Sequence, residues 1–311
     1  MLRRTLLAAS ASDRMRQVIV SAPYTRDVVA RYVAGEDAAA AVEATRRLQA
    51  SGLAVSLDYL GEDTTSQDHA AAVADEYVTL LGRLGAGRLS QDGAAEVSVK
   101  PTAVGLHLPE HGEKTAAAHI ERICVAARAA GTTVTVDMED HTHVDATLRI
   151  VRDLRGDYPD LGCVIQSQLR RSAADCRTLT YAGSRVRLCK GAYDAPPEAA
   201  FGSGAEVDRS YARCLRILMA GAGYPMLATH DPRLIRIIAA QAVLTGRGSA
   251  GFEYQMLYGI RPAEQLRLAA TGAKVRVYLP YGSDWYGYLV RRLAERPANL
   301  AFFLRSLASR R

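Results

Sequence analysis

Apolar residues recur along this chain in two rhythms. Short runs rich in β-branched and aliphatic residues fall at Leu53-Val55-Leu57, Val97-Val99, Val134-Val136, Val164-Ile165, Val186-Leu188, Met226-Leu227, Phe252-Tyr254 and Val275-Tyr278. Such runs read as strands, because side chains of an extended segment alternate between its two faces. Between them lie longer stretches, such as Asp68 to Leu84 and Ala116 to Ala130, whose apolar residues return every three or four positions, the period of a helix with one buried stripe. The pattern predicts an α/β fold, a (β/α)8 TIM-type barrel over residues 51–311. An N-terminal helical segment at 1–50 precedes it, and a last helix is placed over the C-terminal face of the barrel.

Residues from about Asp13 to Gln49 read as helices, and Asp37 is placed to cap the one that runs on to Arg46-Arg47-Leu48. No linker rich in Gly, Pro or Ser marks a second domain, and no internal repeat is detectable. The rival architecture, an open doubly wound sheet, would rest on Gly246-Arg247-Gly248-Ser249-Ala250-Gly251. That string precedes a strand instead of following one, so its glycines could not aim a helix N-terminus at a pyrophosphate, and it reads as a loop.

Hydrophobic residues at 49% can fill a sizeable core, and 23% charged residues are ordinary for a globular protein. The net charge of +6 comes without a basic run interleaved with aromatics. No nucleic-acid module is recognisable, and the charge reads as solvated surface with a weak attraction to an anionic membrane face. Five cysteines, none in a Cys-x-x-Cys pair, suggest reduced thiols in a cytoplasmic chain. Met1 to Leu7 imitates the start of a signal peptide, but its apolar core is too short. No window is long and apolar enough for a membrane span.

Polar residues stand near the predicted strand ends, where barrels carry their chemistry. Lys100 closes the second, Asp137 the third and Gln166 the fourth; Arg187 lies in the fifth, followed by Lys190-Gly191-Ala192-Tyr193; Thr229-His230-Asp231 end the sixth, and Leu257 the seventh. His141 and His143 sit in one acidic loop with no partner from a second strand, which disfavours a metal. Beyond the eighth strand, which Pro280 and Gly282 are expected to end, Ser283 or Asp284 can cap a helix that Pro297 stops. On it, Tyr288, Arg291, Arg292 and Glu295 fall within an arc of about 100°. Two adjacent guanidiniums favour an anion between them, and a carboxylate fits their forks. The same residues also suit a solvated polar face.

Arg276-Val277-Tyr278-Leu279-Pro280-Tyr281-Gly282, followed by Tyr288-Leu289-Val290-Arg291-Arg292-Leu293-Ala294-Glu295-Arg296-Pro297-Ala298-Asn299, resembles the C-terminal signature of proline dehydrogenases. Arg187-Leu188-Cys189-Lys190-Gly191-Ala192-Tyr193 and Ser56-Leu57-Asp58-Tyr59-Leu60-Gly61-Glu62 also resemble that family, as do the sixth and seventh strand ends. The resemblance extends from about Val29 to the C-terminus. It implies FAD as a non-covalent cofactor, and oxidation of L-proline to 1-pyrroline-5-carboxylate by hydride transfer from C5 to flavin N5. It implies a quinone as the next electron acceptor, with transient peripheral contact at the inner face of a membrane.

Carried over by position, the resemblance implies that Arg291 and Arg292 hold the substrate carboxylate. Tyr278, Tyr288 and Leu257 wall the ring, Lys100 and Tyr193 line the same pocket, and Ala192 lies beneath the substrate. Asp137 fixes Lys100 and the flavin edge, and Arg187 and Gln166 bond the isoalloxazine. Thr229, His230 and Gly191 run along the rest of FAD, and Glu295 braces the arginine helix. Lys100, Asp137, Tyr193 and Arg187 form the expected catalytic set. Pro101 and Asp231 depart from the family pattern. Two other readings stay open on the residues alone: a cofactor-free lyase or aldolase using Lys190 or Lys100, and a non-catalytic barrel that binds amino acids.

Overall fold

The computed structural model describes residues 29–62 and 64–294, the side chains of 290–294 excepted. Helix α1 (Ala38–Ala50) leads into β1 (Ala54–Tyr59). There follow α2 (Gln67–Ala86), β2 (Ala95–Val99), α3 (Gly112–Ala129), β3 (Val134–Val136), α4 (Val144–Leu154), β4 (Gly162–Gln166) and α5 (Ser172–Thr178). The chain continues through β5 (Arg185–Cys189), α6 (Gly204–Ala220), β6 (Tyr224–Ala228), α7 (Pro232–Leu244), β7 (Glu253–Leu257), α8 (Pro262–Ala270), β8 (Val275–Tyr281) and α9 (Trp285–Ala294). The eight strands pair in chain order, all parallel, and β1 closes on β8 from Ala54↔Arg276 to Tyr59↔Tyr281. The predicted barrel is therefore present, with its helices between the strands.

Local chemistry sets the helix starts. The Asp37 carboxylate accepts from the Ala40 N–H at 2.8 Å, as predicted for α1. Ser66 caps α2, Ser203 and Glu206 form a reciprocal capping box on α6, and Asp231 caps α7 ahead of Pro232. The glycine string 246–251 is a loop before β7, as its position implied. The N-terminal helices expected before residue 29, Pro297 and Glu295 lie outside the described residues.

The apolar strand residues face the helices. Val55, Leu57, Val97, Val99, Val134, Val136, Leu188, Val277 and Leu279 form one buried core with Tyr77, Leu80, Leu81, Ile120, Ile123 and Leu215. Their sequence neighbours point inward and are polar: Ser56, Asp58, Glu96, Ser98, Thr135, Arg187, Glu253, Gln255 and Arg276 are all buried. Side chains of β2 and β5, which are not neighbours in the sheet, bond one another, which is possible only across the lumen. One structural expectation is corrected. Pro280 does not end β8, which runs on to Tyr281, because Pro280 pairs in register with Asp58 and its carbonyl accepts from Ala34.

Candidate active site

The lumen is an ionic stack. In its lower layer, Glu96 takes Arg185 Nη2 at 2.5 Å, and Arg276 Nε donates to Glu253 at 2.7 Å while lying 3.8 Å from Glu96. Arg276, 1% exposed, also donates to the carbonyls of Val55 and Gly93. Burial alone would raise the Glu96 carboxyl, but Arg185, Arg276 and Arg187 pull it down to about 2. The layer is thus held as ions, each with several partners, the condition under which buried charges are tolerated.

Above it lies Arg187, 4% exposed. Its Nε donates to Gln255 Oε1 at 2.5 Å, Nη1 to Asp137 Oδ1 at 2.6 Å and to Ser98 Oγ at 2.8 Å, and Nη2 to Ser56 Oγ at 3.1 Å. The Tyr278 ring covers the guanidinium, with 5.2 Å from Cζ to the ring centre. Tyr278 Oη donates to Asp137 Oδ2 at 2.7 Å. Burial and the Asp137 and Asp58 carboxylates hold that phenol well above its usual pKa, so it stays a donor.

At the C-terminal end of the strands, Lys100 Nζ bonds Asp58 Oδ1 at 2.5 Å and Tyr278 Oη at 3.2 Å, with Asp137 Oδ2 at 3.8 Å. Burial pulls the lysine pKa down, but the two carboxylates outweigh it and hold the ammonium. Burial pushes the Asp58 carboxyl up, to about 6, against the pull of Lys100. Lys100, Asp137, Arg187 and Tyr278, all named from the sequence, thus meet in one network. Sequence reasoning missed Asp58, Ser98 and Gln255. Asp58 carried the signal, since it stands at the end of β1 as Lys100 and Asp137 do at theirs.

The other candidates surround this centre. Gln166 Nε2 donates to the carbonyls of Met138 and Glu139, and so fastens the loop after β3. Glu139 in turn accepts from Thr102 N and Oγ1, and burial pushes its carboxyl up to about 7. Gly191 has φ +100°, and a Cβ there would lie 2.5 Å from Gln168 Cδ, so glycine is required. Ala192 and Tyr193 follow, half-buried, and the Tyr193 carbonyl accepts from Gln168. His230 Nε2 accepts from the Leu257 N–H at 2.8 Å, which brings those two together. Thr229 is buried, and its Oγ1 accepts from Asp231 N.

Lys190 lies on the rim, 2.5 Å from Asp208 and 3.4 Å from Asp231. Both lysines are thus engaged by carboxylates, Lys190 at the rim and Lys100 within the network, where Asp58 and Asp137 hold it as an ammonium. Asp231, the departure from the family pattern, is occupied as the α7 cap and as a partner of Arg233.

Helix α9 starts just past β8. Its Trp285, Tyr286, Tyr288 and Leu289 side chains pack with Tyr32, Val33 and Leu60. Arg291 and Arg292 lie on this helix, but their side chains fall outside the described residues, as does Glu295.

The donor set suits a flavin dinucleotide. Arg187 is a buried cation in β5, the small residues Gly191 and Ala192 follow that strand, and Lys190 and Arg233 stand at the neighbouring rim beside Asp208 and Asp231. Among the described residues no group of three or more His, Cys, Asp or Glu could hold a metal. His143 instead packs on His107, with ring centres 4.5 Å apart.

A family model described as proline dehydrogenase matches residues 41–305. Proline dehydrogenase 1 of Bacillus subtilis (strain 168) is 36% identical over 307 residues, 99% of each chain. The proline dehydrogenase of Deinococcus radiodurans is 39% identical over 279 residues, 89% of each chain. Among solved structures, proline utilization A from Bdellovibrio bacteriovorus, inactivated by N-propargylglycine, superposes with a TM-score of 0.78 at 24% identity. That match covers 86% of this chain and 32% of the other, and it speaks to the fold alone.

Proposed function

The chain belongs to the proline dehydrogenase family, and from that premise we propose that it oxidises L-proline to 1-pyrroline-5-carboxylate with FAD. When bound, FAD supplies the acceptor for the hydride removed from the substrate. Arg187, Gln166, Gly191, Ala192, Thr229 and His230 are the residues assigned to hold it, with Asp137 at its edge. Arg187 places a fixed positive charge where a reduced ring gathers negative charge.

One observation carries the substrate assignment. Among the described residues, the lumen carboxylates Asp58, Glu96, Asp137 and Glu253 are linked pair by pair to the cations Lys100, Arg185, Arg187 and Arg276, with Lys274 at 3.6 Å from Glu253. Each of these cations already faces a carboxylate of the protein. A substrate carboxylate therefore needs cations beyond the stack, and Arg291 and Arg292 of α9 stand next along the chain. Lys100 and Tyr278 line the pocket between, with Tyr193, Tyr288 and Leu257 as its apolar wall. Orientation and exclusion of water are the protein's contribution. If proline binds as the neutral amine, its ring nitrogen needs no strong general base. A quinone is the acceptor that the family resemblance implies for the electrons, reached by transient contact with a membrane surface.

The test is the absorbance spectrum of the purified protein, followed by anaerobic addition of proline. A yellow protein that bleaches on proline is expected. A colourless protein that fails to bind added FAD would overturn the reading.

A further inference from the structure

We infer that Gln255 is the positioning residue for Arg187, and that its amide holds the guanidinium without cancelling its charge. This inference rests on the proposal that Arg187 serves a bound flavin.

Gln255 is 3% exposed and lies on β7 between Glu253 and Leu257. Its Oε1 accepts from Arg187 Nε at 2.5 Å, and its Nε2 donates to Glu253 Oε1 at 2.6 Å. Chemistry fixes which way the amide faces. A guanidinium can only donate, and Glu253, pulled down by Arg276 against its burial, only accepts. The amide is therefore locked at both ends, between the floor of the barrel and Arg187.

The remaining contacts of Arg187 are on its Nη atoms. The Nε bond, directed from β7, is the one that fixes the plane of the guanidinium against contacts from β1, β2 and β3. That plane lies under Tyr278, which reaches on to Asp137 and Lys100. Turning the guanidinium would disturb every member of the upper network.

The residue type also decides the electrostatics. Asp137 is the one carboxylate within 3 Å of Arg187, with Glu96 at 3.8 Å. A carboxylate at position 255 would set a second anion against the guanidinium and screen its field at the ring. An apolar residue would leave Nε–H unpaired and take one donor from Glu253, which Arg276 would still hold. The amide satisfies a donor above and an acceptor below while adding no charge.

The experiment compares full-length, FAD-loaded wild type with Gln255→Glu, Gln255→Leu, Arg187→Ala and the double variant Arg187→Ala/Gln255→Leu at mildly alkaline pH. The readouts are flavin midpoint potential and the separate kcat and KM for proline with an artificial acceptor. Gln255→Glu is expected to make the flavin harder to reduce. Gln255→Leu is expected to lower kcat about 10- to 100-fold, the loss of one bond to a charged group, with KM little changed. In the Arg187→Ala background, Gln255→Leu should then cost little more, because both act through one group. Wild-type potential and kcat in both single variants, or losses that multiply in the double variant, would overturn the inference. If Gln255→Glu does not fold, Gln255→Leu and the double variant still decide it. Failure of the underlying flavin reading is distinguishable, because wild type itself would then bind no FAD, or Arg187→Ala would leave the potential unchanged.

Discussion

Replacing Lys100 with methionine keeps the length of the side chain and removes its charge. In the intact site the ammonium lies 2.5 Å from Asp58 and 3.8 Å from Asp137. At an effective dielectric of ~20 these pairs attract by roughly 7 and roughly 4 kcal/mol, most of it offset by burying the ions. What matters for Lys100→Met is the charge left behind, and stranding one partner of a buried pair costs about 3–5 kcal/mol. That cost depends on pH in a definite direction. Burial already pushes Asp58 up to about 6, and loss of Lys100 pushes it further. A carboxyl whose folded pKa exceeds its unfolded value contributes its stability in acid, below the unfolded pKa, and loses it as pH rises through the folded one. Lys100→Met should therefore be only mildly destabilised near pH ~5, and by about 3–5 kcal/mol near pH ~8. Denaturant unfolding at matched flavin concentration across this range is the assay. The double variant Asp58→Asn/Lys100→Met should show a flatter pH profile than Lys100→Met alone. A penalty that does not change with pH, or stays below about 1 kcal/mol in alkali, would refute the role given to the Asp58–Lys100 pair.

If Arg291 and Arg292 grip the substrate carboxylate, alanine at either should lower kcat/KM for proline by roughly 30- to 1,000-fold, with lysine a poor rescue. Near-normal values in both alanine variants would remove the pair from the site. Glu139, pushed up to about 7, should make wild type lose up to about 3 kcal/mol relative to Glu139→Gln as pH rises from below its ordinary 4.5 through about 7. Parallel stability curves for the two proteins would contradict that burial effect. Gly191→Ala combines a φ of +100° with a Cβ 2.5 Å from Gln168; it should cost about 1–3 kcal/mol and loosen flavin retention, measured by denaturation and released FAD. Unchanged stability and retention would show that the turn relaxes freely.

The strands were legible because of how this lumen is built. Parallel strands are commonly apolar on both faces and read as continuous runs. Here Glu96 and Ser98 lie between Ala95, Val97 and Val99, and Arg187 between Val186 and Leu188, so the alternation survives in the sequence. Lys100, Asp137 and Arg187 stood out as polar residues at strand ends. Asp58 carried that same signal at the end of β1, whereas Gln255 did not, because an uncharged amide inside β7 takes its meaning from Arg187, 68 residues away. The lower ionic layer was silent for the same reason, since Arg185 and Glu96 are 89 residues apart. Pro280 misled because a missing N–H usually breaks a ladder, whereas this strand extends past it. Asp37 was readable as a cap because its bond is local, three residues long.

The closure of β8 on β1 has a consequence for how the chain is made. Arg276 donates to the carbonyl of Val55 across 221 residues. During synthesis, everything up to β7 emerges before Arg276 exists. At that stage the nascent lumen holds Asp58, Glu96, Asp137 and Glu253 against Lys100, Arg185 and Arg187 only, so one carboxylate is in excess. An open seven-stranded sheet would carry unmatched charge on one face and unpaired edges at β1 and β7. The seam therefore cannot close, nor the lower ionic layer complete itself, until β8 is available to pair with β1.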